Sequence, residues 1–185
     1  MHWKNELDTI EQSNNWQAAV RLATSKQWEH PEVYYRVIFL LLAFVVEGQY
    51  TQEEHDTAAQ KLKLLFDKSA QHYAGKPEFL FFTGFMIYMG EWYFGMDSVA
   101  PATAMLTKAM HMAPTNTLHK RGYYASVDQN PTQHYKQKLE LSEQLLFKEQ
   151  NRLTWLKSKG LLGKYIIRLL EGSYETLKSV NTPEK

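Results

Sequence analysis

The sequence predicts an all-helical domain, and three observations carry that expectation. Apolar residues recur at three- and four-residue spacings along most of the chain, while strand alternation is scarce. Punctuation at Asn14-Asn15, His30-Pro31, Gly48-Gln49, Gly75-Lys76-Pro77, Ala113-Pro114 and Asn130-Pro131 cuts the chain into segments of helix length. Apolar positions also repeat at fixed separations: Trp3 to Val37 and Ile10 to Phe44 are both 34 residues, and Val37 to Met86 and Phe44 to Tyr93 are both 49.

Each element follows from local chemistry. Trp3, Leu7 and Ile10 mark a first helix, and Trp16, Ala19 and Ala23 a second. Pro31, Pro77 and Pro131 suit helix starts, where a missing N–H costs little, and Asn130 suits an N-cap. Val37 to Val46 is the longest apolar run and reads as a buried helix, since a membrane span needs about 20 apolar residues. Tyr50 to Ala58 is eight residues where Trp16 to Ala19 is three, which places five extra residues near Thr51–His55 in a turn. The helix after it lengthens toward Tyr73. Leu118–Val127 predicts a short helix. Pro131–Lys159 predicts one long helix with a stripe at Tyr135, Leu139, Leu146, Leu153 and Leu156. Gly160 and Gly163 interrupt, a closing helix runs through Tyr165, Ile166, Leu169 and Leu170, and Asn181–Lys185 reads as a frayed tail.

Composition narrows the function classes. A chain of 185 residues with 44% apolar side chains suits one domain with a sizeable core. A net charge of +1, from 21 basic and 20 acidic residues, offers no global field for nucleic acid or an anionic membrane. The absence of cysteine excludes disulfides, thiolate nucleophiles and zinc-thiolate sites. The N-terminal residues Met1–Glu6 lack the basic start and apolar stretch of a signal peptide, so the expected location is cytoplasmic.

The repeated frame has a recognisable form. Met86-x2-Met89-Gly90-x2-Tyr93 is followed by Ala102-x3-Leu106 and then Pro114. The tetratricopeptide pattern is Trp-x2-Leu-Gly-x2-Tyr, then Ala-x3-Phe, then Pro. The chain resembles the tetratricopeptide repeat family on these residues, with units at about 1–33, 34–76 and 77–116 and capping helices over 117–180. Met replaces the preferred Trp and Leu in the third unit, and Glu6 occupies an apolar site in the first, so the repeats are irregular. The resemblance implies antiparallel helix pairs, with Gly90 and Ala102 at a close contact. It also implies a concave groove lined by first helices. The partner-binding residues carried over in this way are Asp8, Glu11, Tyr35, Ile38, Leu42, Ile87, Glu91 and Phe94. They form an apolar middle with acidic flanks. A second arrangement stays open, in which the C-terminal helices cover the apolar middle and binding moves to an edge.

Motifs for chemistry are lacking. The seven histidines fit no metal spacing, and Glu54-His55-Asp56 falls in the expected turn. No nucleophile elbow, phosphate loop or dinucleotide glycine pattern occurs. Lys120-Arg121 beside Tyr123-Tyr124 could stack on RNA, but reads better as a surface turn with core tyrosines. Trp92-Tyr93-Phe94 and Tyr34-Tyr35 include neighbours that cannot share one helix face, which makes some of them candidates for a binding groove. The expectation is a non-enzymatic binding module without cofactor or metal, whose partner is one cognate protein rather than nucleic acid or membrane. The leading role is an immunity protein against a bacterial toxin, with a basic toxin domain such as a nuclease as one candidate. The alternative is a cytosolic chaperone or adaptor of a secretion system, which the tetratricopeptide-type chaperones suggest. An enzyme ranks third.

Overall fold

Prolines and side-chain caps set where the helices begin. The computed structural model describes residues 2–25, 29–127 and 134–180. The fold is all-α, with ten α-helices and no strand among the described residues. Helix α1 (His2–Gln12) turns tightly through Asn14, at φ 51°, into α2 (Trp16–Thr24). Asn15 caps α2 by accepting from the Ala18 amide at 3.0 Å. Pro31 opens α3 (Pro31–Glu47), and His30 Nδ1 accepts from the Glu32 amide at 3.1 Å.

Helix α4 (Gln52–Tyr73) starts earlier than its spacing predicts. The extra residues extend the helix rather than the turn. The cause is a capping box: Glu54 N–H donates to Thr51 Oγ1 at 3.3 Å, and Thr51 N–H donates to Glu54 Oε2 at 2.8 Å. His55 and Asp56 are therefore helical. Pro77 opens α5 (Pro77–Ile87), which ends part-way through the residues that resemble the repeat: Met86 is helical and Met89, Gly90 and Tyr93 lie beyond its end. Met89 and Gly90 fall in a turn, and Glu91–Phe94 forms a 3-10 helix.

That early end corrects the register of the third pair. Gly90 caps the 3-10 helix instead of packing on α6 (Ala100–Met112). The small residue at the α5–α6 contact is Gly84: a Cβ there would lie 3.1 Å from the Ala102 carbonyl oxygen and from Leu106. Ala102 is fully buried in this contact, as the repeat frame expects. Replacing Ala102 by Leu would overpack it, with an expected cost of about 1–3 kcal/mol, readable as a lowered thermal midpoint.

The remaining helices are α7 (Thr117–Ser126), α8 (Tyr135–Glu143), α9 (Gln150–Lys157) and α10 (Gly160–Val180). The expected long helix is broken. A π-helical turn, Gln144–Lys148, follows α8, and Glu149 leaves helical geometry at φ −101°, ψ 64°. Glu149 anchors the bend by accepting from Gln144 Nε2 at 2.6 Å and from the Thr117 hydroxyl. The proposed starts at Asn130 and Pro131, and the tail from Asn181 to Lys185, lie outside the described residues.

Packing follows chain order: α1 on α2, α3 on α4, α5 on α6, then α7 on α8. Helix α10 returns across the molecule to contact α8, α9, α3 and α1. Helix α3 is apolar nearly all round and buried from Glu32 to Leu42, which makes it the central helix. Arg121 is also inside, donating to Ser142 Oγ at 2.9 Å and Ser173 Oγ at 2.6 Å, so the Lys120–Tyr124 stretch is a packed helix and not a surface turn.

Candidate protein-docking surface

The eight residues assigned to a concave groove separate into three environments. Tyr35, Ile38, Leu42 and Ile87 are fully buried core residues. The face they share is filled from within. Tyr165 of α10 packs on Phe39 and Phe85, with ring centres 5.4 and 6.2 Å apart, and Trp155 of α9 stacks on Phe82 at 5.9 Å. Among the described residues, α9 and α10 cover the apolar face of α3 and α5.

Asp8 and Glu11 belong to an ion cluster under α10. Arg36 has no exposed surface, and its Nε and Nη2 donate to the two Glu11 oxygens at 2.8 Å each. Nη2 also donates to Asp8. Burial opposes the charged guanidinium, but hydrogen bonds and charge from Glu11 and Asp8 outweigh it and hold Arg36 above its ordinary value. Buried Glu32 lies 3.6 Å from Arg36 Nη1 and accepts from Lys159 Nζ at 2.7 Å. Lys159 reaches Glu78 at 3.1 Å and sits 4.6 Å from the Trp155 ring centre. Tyr35 donates its hydroxyl to Glu78, and burial followed by the Glu78 charge pushes its own ionisation up. The Leu161 amide at the start of α10 donates to Glu11 Oε2 at 3.0 Å. These groups seat α10 on α1, α3 and α5. Charge pairs the cluster throughout, but Glu32 Oε1 and Arg36 Nη1, 3.6 Å apart, make no hydrogen bond among the described residues.

Glu91 and Phe94 sit in the 3-10 helix, away from the first-helix face. Phe94 is buried edge-on against Phe66 of α4, with ring centres 5.2 Å apart and planes at 89°. At about three residues per turn, successive side chains of a 3-10 helix diverge. Phe94 therefore points inward, Tyr93 points along the edge toward His55 at 3.1 Å, and Trp92 points out, 63% exposed.

Trp92 borders an open groove of about 460 Å³ lined by Ala59, Gln60, Lys63, Leu64 and Asp67 of α4, with Tyr93 beside it. Leu64 is 58% exposed. Aromatic contacts back the groove. Ring contacts run from Phe44 to Tyr50 at 5.5 Å, on to His55 at 5.0 Å, to Tyr93 at 5.8 Å and to Trp92 at 5.5 Å. Gly95, at φ 70°, closes the 3-10 helix and leaves room for the Lys63 stem, whose ammonium pairs with Asp67 at 2.7 Å.

Sequence reasoning singled out the Trp92–Phe94 triplet but missed Leu64. Its signal was present. Leu62, Leu65, Phe66 and Ser69 make the buried stripe of α4, and Leu64 falls about 200° round the helix from Leu62. No group of three or more potential metal ligands occurs among the described residues, and no described helix is long and apolar enough to cross a membrane. No family model, curated protein or solved structure matches the chain.

Proposed function

We propose that this chain is a non-enzymatic protein-binding module that docks its partner at the Trp92–Leu64 edge, and that its role is that of an immunity protein, neutralising a bacterial toxin by binding it. One observation supports the docking edge above the rest: two large apolar side chains stand exposed over a groove on rigid elements. Exposed Trp anchors on a pre-organised surface lose little entropy when bound, and such residues dominate interface energetics. An inhibitor needs a fixed, high-affinity surface and no chemistry of its own. The α3–α5 face, which a groove-binding chaperone would offer, is already filled by α10 and Trp155, and this weighs against the chaperone alternative.

The experiment pairs the purified chain with the product of its neighbouring gene. Tight one-to-one binding and rescue of growth when both are expressed are the expected results. Trp92→Ala should weaken that binding by at least about 2 kcal/mol, roughly thirtyfold, without lowering the thermal midpoint. Binding that survives both Trp92→Ala and Leu64→Ala unchanged would remove the edge from consideration. Consumption of a small substrate by the chain alone would reject the binding-module role.

A further inference from the structure

The chemistry that the edge accepts rests on the docking role just proposed. The chain is nearly neutral overall, yet its charge is unevenly placed. Residues 52–68 and 90–97 carry this edge and hold six acidic side chains against three lysines, leaving 14 acidic against 18 basic elsewhere. The edge therefore has a net charge of −3 in a molecule of +1. The carboxylates are not scattered. Glu53, Asp56, Gln60, Lys63 and Asp67 are separated by three, four, three and four residues and share one stripe of α4. Its last three members line the groove, Asp56 lies one turn before it, and Glu91 precedes Trp92 in the chain.

Two of the three lysines already subtracted in that figure are engaged within the chain. Lys63 is bound to Asp67, and Lys68 lies over the Tyr34 ring with its ammonium 5.7 Å from the centre. Lys61 projects about 100° round the helix from Gln60. Asp56 is held below the ordinary carboxylate range by hydrogen bonds from His55 and Gln52. Glu53 and Glu91 make no ion pair among the described residues.

We infer that the Trp92–Leu64 groove takes a basic segment of a partner protein, with one large apolar side chain seated between Trp92 and Leu64 and Lys or Arg residues on either side facing Glu53, Asp56 and Glu91. Asp56 and Asp67 are eleven residues apart, about 16 Å along the helix. An extended segment of about five residues spans that distance. The same carboxylates repel phosphate, so the charge that selects a basic protein segment works against nucleic acid.

The test uses a random peptide library displayed on phage, selected on the full chain and counter-selected on Trp92→Ala. The variant's thermal midpoint should be unchanged, because the side chain it removes is exposed. Trp92-dependent peptides should carry net positive charge around one large apolar residue. Their affinity should fall roughly tenfold in the combined Glu53→Gln, Asp56→Asn, Glu91→Gln variant, with a weaker salt dependence. Trp92-dependent peptides that are neutral or acidic overturn the charge inference and leave the docking edge standing. Absence of any Trp92-dependent peptide overturns both. Sedimentation supplies the remaining outcome: a dimer of the wild-type chain that Trp92→Ala abolishes makes a second copy the occupant, and also overturns the inference.

Discussion

Arg36→Met should cost about 3–5 kcal/mol, because it removes the cation and leaves its carboxylates in place. Glu11 and Glu32 are 4% and 2% exposed, so water cannot take over the role of the guanidinium. The loss is a large share of the roughly 5–15 kcal/mol available to a domain of ordinary stability. A urea titration should show a lowered midpoint, and near-ultraviolet circular dichroism should report loosened packing around Trp155, which sits on Lys159. Removing the carboxylate as well separates charge from volume. The double variant Arg36→Met, Glu11→Gln should recover part of the loss, since a neutral amide is far less costly to bury than an unpaired carboxylate. Equal losses in the single and double variants would mean that the methionine fails on shape. A single variant as stable as the parent would show that the cluster contributes nothing to seating α10.

Several of these features were legible in the sequence and others were not, for physical reasons. The prolines at 31 and 77 and the glycines at 48 and 75 marked boundaries correctly because they act through local backbone chemistry. The Val37–Val46 run marked α3 as buried for the same kind of reason: no helix that apolar can face water. The capping box at Thr51 and Glu54 was equally local but went unread, and the error displaced the start of α4. Arg36 carried a subtler signal. It sits beside Tyr34, Tyr35 and Val37, and a charge on a helix buried all round must have buried partners. Which partners could not be read, because Glu11 is 25 residues away and Lys159, in the same cluster, 123. The spacing of Asp8 and Glu11 placed both on one side of α1, and the structure agrees, with both reaching Arg36 from that side. The docking edge divides in the same way. The divergence of Trp92, Tyr93 and Phe94 was visible, whereas the joining of Trp92 to Leu64 depends on how α4 meets the 3-10 helix.

Gly160→Val should be at least as damaging as loss of Arg36, with about 4–6 kcal/mol expected. Two independent costs meet at this residue. Gly160 has φ 62°, a left-handed conformation that an L side chain adopts only at about 1–2 kcal/mol, and a β-branched one at more. A Cβ would also run into the Glu11 carboxylate and the Arg36 guanidinium, so the salt bridge would have to open. Opening it frees the Leu161 amide from its acceptor, and the first turn of α10 loses both cap and neighbour. The chain should respond by unseating α10, which exposes the buried face around Phe39 and Phe85. Hydrogen exchange should then quicken in α10, along α3 and at the C-terminal end of α5, while α6 stays protected. Gly172→Ala is the matched control. It lies in the same helix with open space around it, and should be neutral or stabilising by up to about 1 kcal/mol. If Gly160→Val exchanges like the parent, the close approach at α10's first turn is not what holds the helix down. If it instead dismantles the whole domain at once, α10 is part of the folding core and not a cover laid over it.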